Sequence, residues 1–289
     1  MATPPVLSSL VLYWLKDGGA DKFVVPPLAD VLKYPPYPAY LNLFAANLIK
    51  PPNGKVGVDM PSTISGPLNA GVGRQLKDRG VKVVLSILNA ADRKSVGWST
   101  MTPAENGQLV DALRMLRTTY GIDGIDIDDE FMDVPGSPQN FYDTIRAIRT
   151  AFPDFVISNP IYDYDDQQKY KQYPDLAKLM TYCSTMNYGN SYEDIIDLVQ
   201  TFNGCGIPMN KLYAGVQPGP PPPCNGGAFT SVDVSRQVAA WTKTNCAGVM
   251  MFTFSTDTVE FAGCPQHSGW PNPNDHTWQI AIQKVLTGT

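Results

Sequence analysis

Six acidic side chains fall within the fourteen residues YGIDGIDIDDEFMD, at positions 120–133. Side chains on a β-strand alternate between its two faces. If this segment is a strand, Asp126, Asp128 and Glu130 share one face and the isoleucines between them share the other. A solvated acidic turn, or a set of caps on the following helix, accounts for the neighbouring acids but not for this alternation. The pattern therefore predicts a row of three carboxylates on one face of a strand.

Such a row suits acid–base catalysis. Like charges at this spacing cannot all ionise cheaply in a low-dielectric site. We therefore expect a raised pKa for Glu130, the last of the row, so that it holds a proton near neutral pH as a general acid must. Asp128 lies roughly 7 Å down the strand in Cα spacing, where its carboxylate can orient a substrate or stabilise charge. A proton-donating carboxyl beside a stabilising carboxylate is what glycoside hydrolysis requires.

The elements that position this row alternate in type along the chain. Short apolar runs predict eight strands, at residues 9–14, 39–46, 82–88, 124–128, 155–160, 180–188, 211–217 and 248–254. Helical periodicity between them predicts helices at 66–79, 103–119, 138–151, 191–203, 231–244 and 275–286. Strands that alternate with helices imply parallel pairing through right-handed crossovers. Eight such units in 289 residues match a (β/α)₈ TIM barrel, in which the acidic row would rise toward the rim that carries catalytic residues.

Three details complete the fold prediction. The segment between the fifth and sixth strands, residues 161–179, has room for only a short helix, so we expect a reduced helix after strand five. Residues 217–227, QPGPPPPCNGG, predict a stiff polyproline loop after the seventh strand. The alternative fold is a doubly wound open sheet, but no glycine-rich phosphate-binding motif follows the first strand. No repeat or linker interrupts the chain, so we predict one catalytic domain over residues 1–289.

Charge and composition argue against several partners. The net charge of −5 disfavours nucleic acid and anionic membranes, and no apolar run is long enough for a membrane span.

The only histidines are His267 and His276, and there is no CxxC motif, so a zinc site is not expected. The acids DYDD at 163–166 lack the spaced ligands of a calcium loop and predict a turn that caps a short helix. A Mg²⁺ enzyme is disfavoured because carboxylates of one strand rarely complete an octahedral shell. We expect a monomer without a cofactor.

The cysteines and the N-terminus bear on the compartment. All five cysteines come late in the chain: Cys183, Cys205, Cys224, Cys246 and Cys264. They are either buried free thiols or form one or two disulfides in a secreted protein, and their odd number leaves at least one unpaired in a monomer. The first residues lack a basic signal-peptide region. We expect a secreted protein whose signal segment is not part of this chain, with a cytoplasmic protein as the alternative.

The acidic strand also carries a resemblance to a known family. Residues 123–130, DGIDIDDE, resemble the DGxDxDxE signature of glycoside hydrolase family 18, the chitinases and endo-β-N-acetylglucosaminidases, at all of its fixed positions. The earlier strand KVVLSIL is similar to the family's third-strand serine motif at Ser86. The ending DDE and the segment STMNYGNSY at 184–192 look closest to the endo-β-N-acetylglucosaminidases that release N-glycans. The resemblance is clearest at strands three, four, six and eight, and it implies a TIM barrel.

The resemblance also implies roles for individual residues. Glu130 would be the general acid/base, and Asp128 would hold the substrate's 2-acetamido group while its carbonyl oxygen attacks the anomeric carbon. The intermediate would be an oxazolinium on the sugar, so configuration is retained without a protein nucleophile, a known exception to the two-carboxylate scheme. Asp126 would lie deeper and tune Asp128. Tyr188 would hydrogen-bond the acetamide, with Asn187 beside it in the substrate site.

Two departures from the family pattern matter. The serine motif usually continues into two glycines, where this chain has Leu88 and Asn89. Many members carry a tryptophan near the end of strand eight as the floor of the sugar pocket, where this chain has Phe252, which can stack on a sugar but has no indole donor. We predict that Ser86 and Phe252 contact substrate. Further aromatic candidates near strand ends are Trp14, Phe44, Trp98 and Phe131, followed by Tyr162 and Trp270.

The sequence therefore favours a retaining glycosidase that cleaves the β-1,4 bond after N-acetylglucosamine, within the chitobiose core of N-glycans. A chitinase that acts on chitin oligomers is the first alternative, although five tryptophans are few for gripping a polymer. A silent barrel that binds sugar as a lectin or inhibitor is the alternative of another class. The presence of Glu130, Asp128 and Tyr188 argues against it, and the two departures keep it open.

Overall fold

The chain folds as a closed barrel of parallel strands surrounded by helices. The computed structural model describes residues 6–16, 25–52, 54–188, 191–219, 229–258 and 276–289. In chain order the strands are β1 (Val6–Leu15), β2 (Tyr37–Ile49), β3 (Gly57–Asp59), β4 (Lys82–Leu88), β5 (Gly124–Asp128), β6 (Val156–Ile161), β7 (Tyr182–Thr185), β8 (Leu212–Val216) and β9 (Gly248–Met251). All eight predicted strands are present, and β3 is an addition that the sequence pattern did not predict.

Parallel pairing closes the barrel. Neighbouring strands follow the order β1-β9-β8-β7-β6-β5-β4-β2, and β1 also pairs with β2. This closure confirms the TIM barrel and excludes the doubly wound open sheet. The short strand β3 pairs antiparallel with the end of β2, outside the barrel. Three residues are too few to show an alternating pattern, which is why β3 could not be recognised in the sequence.

The helices pack around this barrel. They are α1 (Ser62–Asn69), α2 (Val72–Lys77), α3 (Pro103–Tyr120), α4 (Pro138–Ala151), α5 (Tyr164–Gln172), α6 (Leu176–Leu179), α7 (Tyr192–Gly204), α8 (Val232–Asn245) and α9 (Thr277–Thr287). The helix α3 begins with a capping box between Thr102 and Glu105 and ends at Gly121, whose φ of 65° only glycine adopts easily. These local signals explain why its predicted bounds were nearly correct.

Two helical regions bear on the predictions. The single helix predicted at 66–79 is two helices, α1 and α2, because Gly71 takes a left-handed φ of 84° between them. After β6 the chain forms only α5 and the one-turn α6, which confirms the reduced helix after the fifth barrel strand. The side chain of Asp163 accepts a hydrogen bond from the backbone N–H of Asp166 at 3.0 Å, so the acidic DYDD segment caps α5 as predicted.

The apolar residues form two layers. Ile125 and Ile127 lie fully buried between the barrel and the helices, as the alternation on β5 predicts. The inside of the barrel is a separate cluster that is rich in tyrosine, formed by Val11, Tyr13, Val84, Val156, Tyr182, Tyr213 and Met250. Tyrosine brings hydroxyl groups into the apolar part of this interior, and this allows polar groups to be buried there with partners.

Some predictions fall on residues that the structure does not describe. Cys224, Cys264, Trp270 and most of the polyproline loop lie outside the described residues, so disulfide formation between the late cysteines stays a prediction. The described cysteines are free thiols: Cys183, Cys205 and Cys246. Within the described ranges no helix is long and apolar enough to cross a membrane. Over the same ranges no group of three or more His, Cys, Asp or Glu side chains is arranged to hold a metal ion.

The glycine of the acidic strand is required by a close approach between strands. A Cβ atom at Gly124 would lie 2.3 Å from the backbone oxygen of Val156 on β6. We therefore expect Gly124→Ala to lower the free energy of unfolding by about 1–3 kcal/mol, measured by urea denaturation. The control is Gly107→Ala in α3, where an added Cβ meets nothing within 4 Å. It should stabilise the protein by about 0.5–1 kcal/mol, and equal effects at both positions would contradict this account.

Candidate active site

Asp126 is the deepest acid of the row and is held by three hydroxyl groups. Its carboxylate is fully buried and accepts hydrogen bonds from the hydroxyls of Tyr13 at 2.8 Å, Ser86 at 2.8 Å and Ser158 at 2.7 Å. The donors come from β1, β4 and β6, and the two serines lie directly opposite Asp126 in the strand register. Burial raises the pKa of Asp126, and the hydroxyl donors oppose that shift.

Asp128 is the next acid up the row, at the end of β5. It is only 3% exposed, and within the described structure its Oδ1 atom has no hydrogen-bond partner. Burial, followed by repulsion from Glu130 and Asp126, holds the pKa of Asp128 well above its usual range. A buried carboxyl oxygen without a partner is costly, and a donor from a bound molecule would satisfy it.

Glu130 lies just past the end of β5 and is half-buried. Burial raises its pKa, and repulsion from Asp166 and Asp163 adds to the shift, while Lys169 opposes it. The predicted direction of the shift is therefore confirmed. Its source differs from the prediction, because the repulsion comes mainly from acids in and before α5 and not from the strand. No spacing rule in the sequence places α5 beside β5.

Asp129 points to the opposite side of the segment, away from the barrel interior. It accepts hydrogen bonds from Asn89 Nδ2 at 3.0 Å and from the Ser99 hydroxyl, and its Oδ2 lies 2.8 Å from Lys169 Nζ. Lys169 is itself buried and also lies 3.0 Å from Asp166. Burial would raise the pKa of Asp129, but the Lys169 charge and these donors outweigh it and lower the pKa. The solvated acidic turn is therefore wrong for this residue.

Tyr188 and an aromatic cluster line the same mouth. Burial raises the pKa of Tyr188, and the charges of Asp128, Asp126 and Glu130 add to the shift. The Tyr188 ring stacks on Phe252, with ring centroids 5.4 Å apart at 17°. Phe252 also meets Tyr13 and Phe44 edge-on, at 5.5 Å and 5.4 Å. Phe44 and Phe252 thus belong to one aromatic cluster with Tyr188, and their contact with a sugar stays a prediction.

Three predicted substrate contacts need correction. Ser86 is fully buried with its hydroxyl committed to Asp126, so it supports the acidic row from below. Trp14 is 3% exposed and donates its indole N–H to the backbone oxygen of Pro26 at 2.9 Å. Trp98 is fully buried and donates to the backbone oxygen of Ile87 at 2.8 Å. Both tryptophans pack between the barrel and the helices. The prediction failed because their positions in the sequence do not show which face they occupy.

Asn187 lies next to Tyr188 and joins β7 to the helix that follows. Its Nδ2 atom donates to the backbone oxygen of Asp194 at 2.7 Å, in the first turn of α7. This contact fixes the segment that carries Tyr188. A direct contact between Asn187 and substrate stays a prediction.

Two aromatic side chains near Glu130 are exposed. Phe131 is 63% exposed and Tyr162 is 52% exposed, and with Glu130 both line a cavity of about 540 Å³. A second cavity of about 250 Å³, between Asn47 and Arg93, also reaches Glu130 and Phe131. The Arg93 guanidinium lies 5.4 Å from the centre of the Phe131 ring. Glu130 and Phe131 therefore border both open spaces, and Tyr162 adds a second ring to the larger one.

Several residues of the site were not predicted. Tyr13 and Ser158 hold Asp126, and Asn89 and Lys169 hold Asp129. Tyr13 carried a weak signal in the sequence, because it lies two residues after Val11 and therefore shares its face of β1, toward the barrel interior. The contacts of the others depend on the register between strands and on the packing of α5, which a single sequence does not reveal.

The C-terminal end of a barrel strand, where this row of carboxylates lies, is where TIM-barrel proteins carry their active sites. Residues 34–252 match the family model described as Glycosyl hydrolases family 18. Because this match covers most of the chain, the protein belongs to that family. No curated protein sequence matches the chain.

Solved structures agree with the family in fold. The chain is similar to the group IV chitinase of Ostrinia furnacalis in complex with allosamidin, with a TM-score of 0.71 and 15% identity over 98% of this chain and 99% of that chain. It is similar to a fungal endo-β-N-acetylglucosaminidase from glycosyl hydrolase family 18, with a TM-score of 0.67 and 16% identity over 98% and 99%. Bacteroides thetaiotamicron EndoBT-3987 with Man5GlcNAc product matches over 86% of this chain and 56% of that chain, with a TM-score of 0.60 and 17% identity. At these identities the similarity shows the fold alone.

The hydroxyls around Asp126 generate a stability prediction. Ser158→Ala removes one donor to a buried carboxylate, so we expect it to lower the free energy of unfolding by about 1.5–3 kcal/mol, measured by urea denaturation. The matched control is Ser184→Ala on the neighbouring strand β7, where the equally buried hydroxyl has no hydrogen-bond partner among the described residues. That variant should lose no stability. A loss at Ser158 no larger than at Ser184 would show that Asp126 does not depend on its hydroxyls.

Proposed function

We propose that this protein is a retaining, substrate-assisted glycosidase that cleaves the β-1,4 bond after N-acetylglucosamine, within the chitobiose core of N-glycans. The observation that carries the proposal is the buried Asp128 Oδ1 atom, which has no hydrogen-bond partner in the described structure and lies in the same mouth as Glu130 and Tyr188. An acetamide N–H from the substrate would supply the missing donor.

The neighbouring acids support substrate assistance over a protein nucleophile. Both oxygens of Asp126 accept hydrogen bonds from hydroxyl groups at the bottom of the site. Asp129 points away and is paired with Lys169. With these two acids engaged, the substrate's own acetamide oxygen becomes the best-placed nucleophile, oriented by Asp128.

The proposed steps follow from these positions. Asp128 accepts the acetamide N–H, and Tyr188 donates to the acetamide carbonyl, which fixes that oxygen below the anomeric carbon. The carbonyl oxygen forms a bond to the anomeric carbon while the glycosidic bond breaks, and Glu130 gives its proton to the leaving oxygen. Burial raises the pKa of Glu130, which favours the protonated form that this step uses. Water, deprotonated by Glu130, then opens the oxazolinium and restores the acetamide with retained configuration.

The choice of substrate rests on the aromatic residues. In the part of the chain that the structure describes, no tryptophan is among the large exposed apolar side chains. Single exposed rings of phenylalanine and tyrosine suit a short branched glycan better than a long polymer, which favours the N-glycan core. Cleavage of chitin oligomers by the same chemistry is the second candidate, because a chitinase is among the similar structures. Secretion, which would give access to such glycans, is part of the proposal.

The direct test compares two substrates. The protein is incubated with a high-mannose glycoprotein and, in parallel, with chitopentaose, and the products are identified by mass spectrometry. We expect the glycoprotein to retain a single N-acetylglucosamine on asparagine. Glu130→Gln should lower turnover by about 10³-fold while glycan binding persists, because the proton donor is lost and the pocket is not. Cleavage of chitopentaose alone would make the protein a chitinase, and binding without cleavage would make it a lectin.

Asp128 generates a separate prediction. Asp128→Asn should lower hydrolysis strongly, because the amide cannot stabilise the charge that develops on the acetamide. A preformed sugar oxazoline already contains the bond that Asp128 helps to form, so the variant should still transfer the sugar from an oxazoline donor to an acceptor. Transfer is measured by chromatography of the glycan product, with Asp133→Asn at the exposed rim as the control that keeps hydrolysis intact. An Asp128→Asn variant that cannot use the oxazoline would refute substrate assistance.

A further inference from the structure

Asn89 follows β4 directly, and its hydrogen bonds connect its own segment with three others near Glu130. The residue is 4% exposed, and its Nδ2 atom donates to the backbone oxygen of Glu130 at 2.9 Å and to Asp129 at 3.0 Å. Its Oδ1 atom accepts from the backbone N–H of Trp98 at 2.8 Å. Its own backbone oxygen accepts from the side chain of Asn47 at 2.9 Å. The side-chain amide is therefore fixed in orientation by its partners.

Glu130 needs such support because it lies beyond the regular strand pairing. The last paired residues between β4 and β5 are Leu88 and Asp128. Past that point Phe131 takes a positive φ of 62°, which a non-glycine residue adopts rarely. The backbone oxygens of Glu130 and Phe131 are bonded by the side chains of Asn89 and Arg93, at 2.9 Å and 2.7 Å. Side chains thus replace the strand ladder at the residue that must deliver a proton.

We propose that Asn89 is a positioning residue that sets the location of the Glu130 carboxyl relative to the bond being cleaved. This inference rests on the proposed function, and Asn89 acts through Glu130 without touching substrate. It also gives the sequence departure at the third strand a physical role. Where the family motif ends in glycine, this chain places an amide that clamps the acid-bearing segment by its backbone and by Asp129.

Gly97 supports this inference independently. A Cβ atom at Gly97 would lie 2.8 Å from Asn89 Oδ1 and 2.8 Å from Met132 Cγ. The Met132 side chain is flexible and can move, but the Asn89 amide is held by its hydrogen bonds. Gly97 therefore keeps open the space that the Asn89 amide occupies, and a methyl group there would push the amide off Glu130 without removing it.

The test is steady-state kinetics of Asn89→Leu on whichever substrate the wild-type protein cleaves. A displacement of about 1 Å in a catalytic group costs up to about 100-fold, so we expect kcat to fall by about 10- to 100-fold. KM should stay within about threefold, because Asp128, Tyr188 and Phe252, the proposed sugar contacts, are not altered. In the Glu130→Gln background, adding Asn89→Leu should leave the Kd for the glycan within about threefold, because Asn89 does not contact the substrate.

Gly97→Ala keeps the proposal testable if Asn89→Leu fails to fold. We expect the same pattern with a smaller effect, in which kcat falls by about 5- to 30-fold and KM is unchanged. The matched control is Asn203→Leu, which removes an asparagine that donates to the backbone oxygen of Ile207 at 3.0 Å at the end of α7. That variant should keep kcat and KM within twofold. Melting temperatures of all variants show that each is folded at the assay temperature.

The possible outcomes separate the two proposals. A fall in kcat alone, in folded Asn89→Leu or Gly97→Ala, supports the positioning role. Unchanged kcat, or a parallel rise in KM and in the Kd of the Glu130→Gln background, overturns that role and leaves the proposed function standing. A wild-type protein that cleaves neither the glycoprotein nor chitopentaose overturns both.

Discussion

The burial of carboxylates inside the barrel is the constraint on which the rest of the structure depends. An isolated charge in a protein interior costs several kcal/mol or more, and Asp126 is fully buried. Hydroxyls from three different strands surround it, so the residues that satisfy the carboxylate also tie β1, β4 and β6 to β5. The same hydrogen bonds that stabilise the charge therefore hold the register of the strands at the level of the site.

The two aspartates that follow Asp126 on this segment lie on opposite sides of it. Asp128 remains inside with an oxygen that has no partner in the described structure, whereas Asp129 turns outward to the buried cation Lys169. The pKa of Asp128 is raised and that of Asp129 is lowered, although the two are adjacent in the chain. The outward acid anchors the segment through its ion pair with Lys169, whereas the inward acids face the space in which acid–base chemistry would take place.

The sequence predicts those features that are local. Alternation on β5 and the acidic segment that caps α5 each depend on neighbouring residues, and both were confirmed. Features that depend on distant packing were not predictable. Nothing in the sequence shows that Ser86 faces Asp126 while Trp98 faces the helices, because strand register and orientation decide both. The raised pKa of Glu130 was predicted in direction, but its neighbours Asp163 and Asp166 reach it only through the placement of α5.

The central claim is that the substrate's acetamide, and not a protein side chain, attacks the anomeric carbon. The most direct measurement compares two aryl β-disaccharides that differ only at the sugar next to the scissile bond, one with a 2-acetamido group and one with a 2-hydroxyl group. We expect release of the aryl group from the acetamido substrate and a kcat/KM at least about 10³-fold lower for the hydroxyl substrate, because the acetamide oxygen is the proposed nucleophile. Comparable rates for the two substrates would contradict the account and require a nucleophile from the protein.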